Sequence, residues 1–118
     1  MIIEQKLINK PWGHEIIWSK CSRFVGKILC IKAGHQLSRQ FHKNKEETIY
    51  VLSGTLLLEL GMGATLKKIE LKKGQSFHIF PNTIHRFVAK FGYVELAEVS
   101  SPELDDIVRL EDDYNRTK

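Results

Sequence analysis

The sequence predicts an all-β chain closed into a double-sheet barrel, and three observations predict it. Apolar runs are short, and glycine, proline or asparagine separates them at the intervals of a β-sandwich or barrel. Only one segment, near the C-terminus, carries a helix signal. The chain has 118 residues, 42% of them hydrophobic, which suits one domain (residues 1–118) with a sizeable core and leaves no room for two. Closure into a barrel removes the unpaired edges that so many short strands would expose.

The elements follow in chain order. Residues 2–7 form a first expected strand, its apolar residues broken by Glu4 and Lys6, which is the pattern of neither a signal peptide nor a membrane span. Strands at 15–18 and 24–32 come next, the second carrying the apolar run Ile28-Leu29-Cys30-Ile31, and Ala33-Gly34 turns the chain into a strand at 37–42. Strands at 48–52 and 55–60 meet at Ser53-Gly54, Gly61-Met62-Gly63 leads to 66–71, and Lys73-Gly74 leads to 76–79. Pro81-Asn82-Thr83 introduces 85–89, and 94–99 is the last long strand. Glycine or asparagine at these turns supplies positive φ. In the tail, residues 102–110 could start a helix, because Glu103, Asp105 and Asp106 would complement a helix dipole.

Composition narrows the function classes. Two cysteines, Cys21 and Cys30, are too few for a disulfide framework, and Cys30 reads as a buried thiol, which points to a reducing cytoplasm. The net charge of +4 favours anionic partners, yet there is no dense basic stripe with interleaved aromatics, so the pattern fits a small phosphorylated ligand and not nucleic acid.

Chemistry concentrates at four positions. Gln40 and His42 are two apart in a strand and leave the same face. Glu47 opens the next strand facing the way of Ile49 and Val51, and His85 alternates with Phe87 and Ala89. Two imidazoles and a carboxylate from three strands can therefore meet inside the barrel, a donor set for zinc, iron, nickel, cobalt or manganese. Taken singly, each of the three also suits ordinary packing or a buried hydrogen-bonded pair. Gln40 offers a weaker, neutral fourth ligand through its amide oxygen, or holds a histidine tautomer.

Other candidates have plainer alternatives. Glu98 shares a face with Val94 and Leu96, where burial would raise its pKa toward a range suited to proton transfer, while Glu95 on the opposite face competes for the inward role. Arg86 follows His85 and points away from the metal in a regular strand, so it is either a phosphate ligand or a solvated arginine. His35 and His78 read as structural histidines, and Trp12 and Trp18 as packing at the core or rim.

The spacing carries a family resemblance. Gly34, Gln40, His42, Glu47 and Gly54 resemble the first cupin motif, G-x5-H-x-H-x4-E-x6-G, with Gln40 in place of the first histidine. Gly74, Phe80, Asn82 and His85 resemble the second, G-x5-P-x-G-x2-H, with Phe80 and Asn82 replacing proline and glycine, and 19 residues (55 to 73) separate the two. Lys10-Pro11-Trp12-Gly13, Leu37-Ser38-Arg39-Gln40-Phe41-His42 and the stretch from Asp105 to Tyr114 resemble the type II mannose-6-phosphate isomerase domain, which often follows a mannose-1-phosphate guanylyltransferase. The likeness runs from about Lys10 to Arg116. Arg39 stands where that family tends to carry leucine, and Lys43-Asn44-Lys45-Glu46 replaces a histidine-rich loop.

The resemblance implies a single jelly-roll (double-stranded β-helix) barrel with a short helical or irregular tail. It implies one divalent metal, zinc foremost, on Gln40, His42, Glu47 and His85, and a homodimer. The implied reaction is aldose–ketose isomerisation of mannose 6-phosphate in nucleotide-sugar or surface-polysaccharide synthesis. Glu98 or Lys45 would shuttle the proton, and Arg86 or Lys10 would take the phosphate. Lys45 enters by similarity to the larger class of zinc-dependent phosphomannose isomerases, which carry a lysine two residues before the metal-binding glutamate. A non-catalytic metal-containing sugar-binding barrel and an iron-dependent dioxygenase are the alternatives.

Overall fold

A computed structural model describes residues 1–103 and 105–117; Leu104 and Lys118 lie outside the described residues. The strands are β1 (Lys6–Lys10), β2 (Gly13–Lys20), β3 (Val25–Ile31), β4 (Arg39–Phe41), β5 (Glu47–Ser53), β6 (Thr55–Leu60), β7 (Lys67–Lys72), β8 (Ser76–Ile79), β9 (His85–Val88), β10 (Val94–Ser100) and β11 (Val108–Glu111). They form two antiparallel sheets, ordered β1-β2-β3-β10-β5-β8 and β11-β4-β9-β6-β7. This is the double-stranded β-helix that the two motifs imply. No helix among the described residues is long and apolar enough to cross a membrane.

Two turns show why the motif residues are needed. Gly54, between β5 and β6, has φ +81°, and a Cβ there would sit 2.2 Å from the Tyr93 carbonyl oxygen. Asn82 adopts φ 64° before β9, a conformation that asparagine tolerates better than most residues, so it can replace glycine in the second motif.

The register divides the interior into an apolar half and a polar half. Along β5 the inward residues are Glu47, Ile49 and Val51; along β9 they are His85 and Phe87, with Ala89 buried just beyond it; along β10 they are Val94, Leu96, Glu98 and Ser100. Leu96 pairs with Val51, Glu98 with Ile49, and Ser100 with Glu47. Ile31, Val51, Leu56, Leu58, Val94 and Leu96 fill one end almost without exposure, and the other end carries buried charge.

Two expectations are corrected. Residues 105–110 are not helical: Val108–Glu111 pairs with β4, Val108 against Phe41 and Arg109 against Gln40. The Asp106 carboxylate does not serve a helix of its own; it accepts backbone N–H bonds from Lys43 (3.2 Å), Asn44 (2.5 Å) and Lys45 (3.0 Å). The first strand is shifted to Lys6–Lys10, because a two-residue turn at Pro11-Trp12 sets Lys10 against Gly13 and Lys6 against Ile17.

The outer face of the five-stranded sheet is covered by the C-terminal segment through charge. Arg39 Nη2 lies 2.8 Å from Glu59 Oε1, its Nε binds Glu111, and Nη1 donates to the Gly61 carbonyl at 3.2 Å. We expect Arg39→Ala to cost about 3 kcal/mol, since removing one partner leaves buried Glu59 uncompensated except by Lys68 at 3.9 Å. Urea denaturation measures it, and adding Glu59→Gln should recover part of the loss. A cost below about 1 kcal/mol would mean an exposed-type pair.

Candidate metal centre

The donor atoms of His42, Glu47 and His85 all lie within 4.8 Å of one another, and all three residues are buried. β5 starts with Glu47 facing inward, β9 starts with His85 facing inward, and His42 follows directly on β4. Gln40 and His85 are register partners, which brings β4 and β9 together at the site. His42 Nε2 lies 3.2 Å from Glu47 Oε2.

Backbone carbonyls set both imidazoles for coordination. His42 Nδ1 donates to the Asp106 carbonyl at 2.8 Å, and His85 Nδ1 donates to the Thr83 carbonyl at 2.8 Å. Each bond orients its ring with Nε2 inward, and a neutral ring with its proton on Nδ1 presents the Nε2 lone pair that metal binding requires. Burial holds the His85 pKa down and keeps the ring neutral. Burial alone would raise the Glu47 pKa, but the His42 contact and the positive charge of Lys45 outweigh it, so the carboxylate stays ionised, well below the usual range. Two buried donor atoms of this set, Glu47 Oε2 and His85 Nε2, have no hydrogen-bond partner. Orphaned lone pairs facing one another are costly without a cation, so the residues fit a divalent metal.

Gln40 stands beside the centre with its amide engaged. Ser38 Oγ donates to Oε1 at 2.7 Å, and Gln40 Nε2 lies 3.4 Å from His42 Nε2. Ligation through the oxygen requires a half-turn of the amide, after which Gln40 Nε2 donates to Ser38 Oγ in place of the present bond.

The centre opens into a cavity of about 480 Å³, within the range of small-molecule sites. Gln40, His42, Lys45 and Glu98 line it, and Lys10 lies at its wall. Lys45, named from the sequence as a loop residue, is buried, with Nζ 3.5 Å from Glu47 Oε2 and 3.4 Å from Glu98 Oε2. Burial opposes its charge, but Glu98 and Glu47 carry its pKa above the usual lysine value. Glu98 is the inward carboxylate and Glu95 is not; burial first, and then the charge of Glu47, push Glu98 up to about 7. His35 and His78 do not line this cavity, whereas Trp12 does and Trp18 is partly exposed.

Arg86 does not face the cavity, which corrects its candidacy for the phosphate. As alternation predicts, it points outward, but Asp113 covers it (Nη2 to Oδ1, 3.3 Å) and its Nε donates to the Leu37 carbonyl at 2.8 Å. Among the cavity-wall residues that were not site candidates from the sequence are Glu15, Lys27, Arg109 and Arg116. Lys27 left a usable signal, since it sits in the inward series Val25, Lys27, Leu29, Ile31 and pairs with Glu98 across β3 and β10. The lysine also meets Glu15 at 3.4 Å.

Comparison with known proteins agrees with this geometry. The family model for the C-terminal domain of mannose-6-phosphate isomerase matches residues 3–112. The xanthan biosynthesis protein XanB of Xanthomonas campestris pv. campestris is 35% identical over 114 residues, covering 93% of this chain and 24% of that protein. The alginate biosynthesis protein AlgA of Pseudomonas aeruginosa is 35% identical over 115 residues, covering 93% and 23% respectively. This chain thus spans about a quarter of the length of these two relatives. A solved Klebsiella pneumoniae protein described by its double-stranded beta-helix domain superposes with TM-score 0.70 at 18% identity, over 80% of this chain and 76% of that one. With the donor residues of both motifs folded around one buried site and the family model spanning almost all of the chain, this protein belongs to the mannose-6-phosphate isomerase C-terminal family.

Proposed function

We propose that this chain is a metal-dependent aldose–ketose isomerase that interconverts mannose 6-phosphate and fructose 6-phosphate in the synthesis of surface polysaccharides or nucleotide sugars. The observation that supports it most is the placement of Glu98 in the cavity wall, its pKa pushed up to about 7, beside Lys45 and one register step from Glu47. A general base poised near neutrality beside a metal-type donor set is what proton transfer next to a carbonyl needs.

Gln40, His42, Glu47 and His85 would hold the cation, zinc first among the candidates. The cation would supply Lewis acidity at the sugar oxygens next to the reacting carbons. Glu98 removes the C2 proton of the open-chain aldose, leaving an enediol, and returns it at C1 as a proton passes from O2 to O1. Lys45 keeps two buried carboxylates compatible, since its ammonium faces both. Lys10, at the cavity wall, is a further contact for the sugar phosphate.

Formation of fructose 6-phosphate from mannose 6-phosphate, measured in a coupled assay with zinc or cobalt supplied, tests this reading. Turnover supports it; no turnover despite tight metal and sugar-phosphate binding by calorimetry would make the chain a binding module. The same reading includes a homodimer. Tyr50 and Val99 expose apolar surface on the outer face of the six-stranded sheet, and a light-scattering mass of one chain would contradict pairing.

A further inference from the structure

The C-terminal strand presents a second polar feature to the cavity. Arg109 pairs with Gln40 across β11 and β4, so their side chains leave the same face of the sheet, and both line the cavity. Arg109 Nε is buried and has no hydrogen-bond partner. Arg116, also in the wall, is held in place by Asp112, which accepts from Nε at 2.8 Å and from Nη2 at 3.0 Å. Its guanidinium lies 5.6 Å from the centre of the Tyr114 ring.

The arrangement is costly as it stands. Burial lowers the Arg109 pKa, and the positive charge of Arg116 lowers it further, with Asp112 offsetting only part. A half-buried guanidinium beside another cation, with its buried Nε left over, lacks an anion. The two arginines of the outer face differ in this respect: Arg39 and Arg86 both meet carboxylates from the same C-terminal segment. Glu111 and Asp113 meet those outer arginines, and a register shift between Arg109 and Glu111 breaks the two-residue alternation that would otherwise put them on the face of Arg109. Across that shift Glu111 faces the outer arginines while Arg109 lines the cavity.

We propose that Arg109, with Arg116 beside it, is the subsite for the phosphomonoester of the ligand, next to Gln40 and the metal donors. Guanidinium forks match phosphate oxygens in a planar, bidentate way, and an orphaned Nε at a cavity wall is the matching donor. This inference rests on reading the cavity as a sugar-phosphate site and replaces Arg86 as the source of phosphate contact. It also gives β11 a role in ligand binding, so that a segment outside both motifs completes the site.

The experiment uses inorganic phosphate as the probe, so it does not depend on turnover. Phosphate should raise the melting temperature of the wild-type chain in a concentration-dependent way, and calorimetry should give its affinity. Arg109→Gln should weaken phosphate binding at least about 10-fold, equal to about 1.4 kcal/mol, and abolish the thermal protection. Arg116→Gln should weaken it less. Without phosphate, Arg109→Gln should melt no lower than wild type, because it removes a cation that Arg116 repels and a buried Nε that makes no hydrogen bond; an arginine with a purely structural role would lower it. Lys67→Gln, an equal change of charge on exposed β7, is the control and should leave phosphate affinity unchanged. A wild-type chain that binds no phosphate would overturn the inference, as would an Arg109→Gln chain that binds it equally well. Phosphate binding that depends on Arg109 in a chain without isomerase turnover would leave the subsite standing and refute the isomerase reading alone.

Discussion

Glu98→Gln is expected to lower kcat for isomerisation by about 10²–10⁴-fold, the usual contribution of a general base, with metal content unchanged. The substitution keeps shape and volume in a site that is 4% exposed, so packing against Lys27 and Lys45 survives while the proton acceptor is lost. The pH profile supplies an independent readout. Burial and the neighbouring Glu47 push the Glu98 pKa up to about 7, with Lys45 and Lys27 pulling the other way. The base is the deprotonated form, so kcat/KM should rise as pH increases through this region, and the limb should vanish in the variant. Stability carries the opposite sign: a carboxylate with a raised folded-state pKa disfavours the fold progressively as pH climbs from its ordinary 4.5 toward about 7. Glu98→Gln should therefore be at least as stable as wild type at pH 8. Full activity in the variant would remove Glu98 from the chemistry.

His85→Ala is expected to weaken metal binding by more than about 100-fold, because even outer partners of metal ligands are worth about 10–100-fold. The barrel should persist. His85 sits at the polar end of the interior, away from the apolar end built by Ile31, Leu58, Val94 and Leu96, and its Nε2 makes no hydrogen bond that folding would lose. Elemental analysis after dialysis, with circular dichroism as the check on folding, measures both halves of the expectation. A folded variant that still holds one equivalent of metal would show that His85 is not a ligand.

Much of this site was legible in the sequence because strand alternation is local. Two-residue periodicity places Gln40, His42, Glu47, His85 and Glu98 on inward faces, and Gly54 and Asn82 mark the turns that align them. What the sequence left undetermined depends on contacts far apart along the chain. The acidic residues after Pro102 read locally as the start of a helix, yet Asp106 is consumed 62 positions away by the Asn44 N–H, and its carbonyl by His42. Pairing of β11 with β4 then overrides the local signal. Lys45 reads as a solvated loop lysine until β10 brings Glu98 against it, 53 positions on. Arg86 illustrates the converse case. Its outward direction follows from alternation, but the cover that Asp113 places over it does not.

The central claim is convergence of two imidazoles and one carboxylate on a single cation. Anomalous diffraction at the metal edge, on crystals of the metal-loaded chain, tests it most directly. We predict one peak per chain, bounded by His42 Nε2, His85 Nε2 and a Glu47 carboxylate oxygen. A peak elsewhere, or none at saturating metal, would contradict the assignment and with it the isomerase proposal.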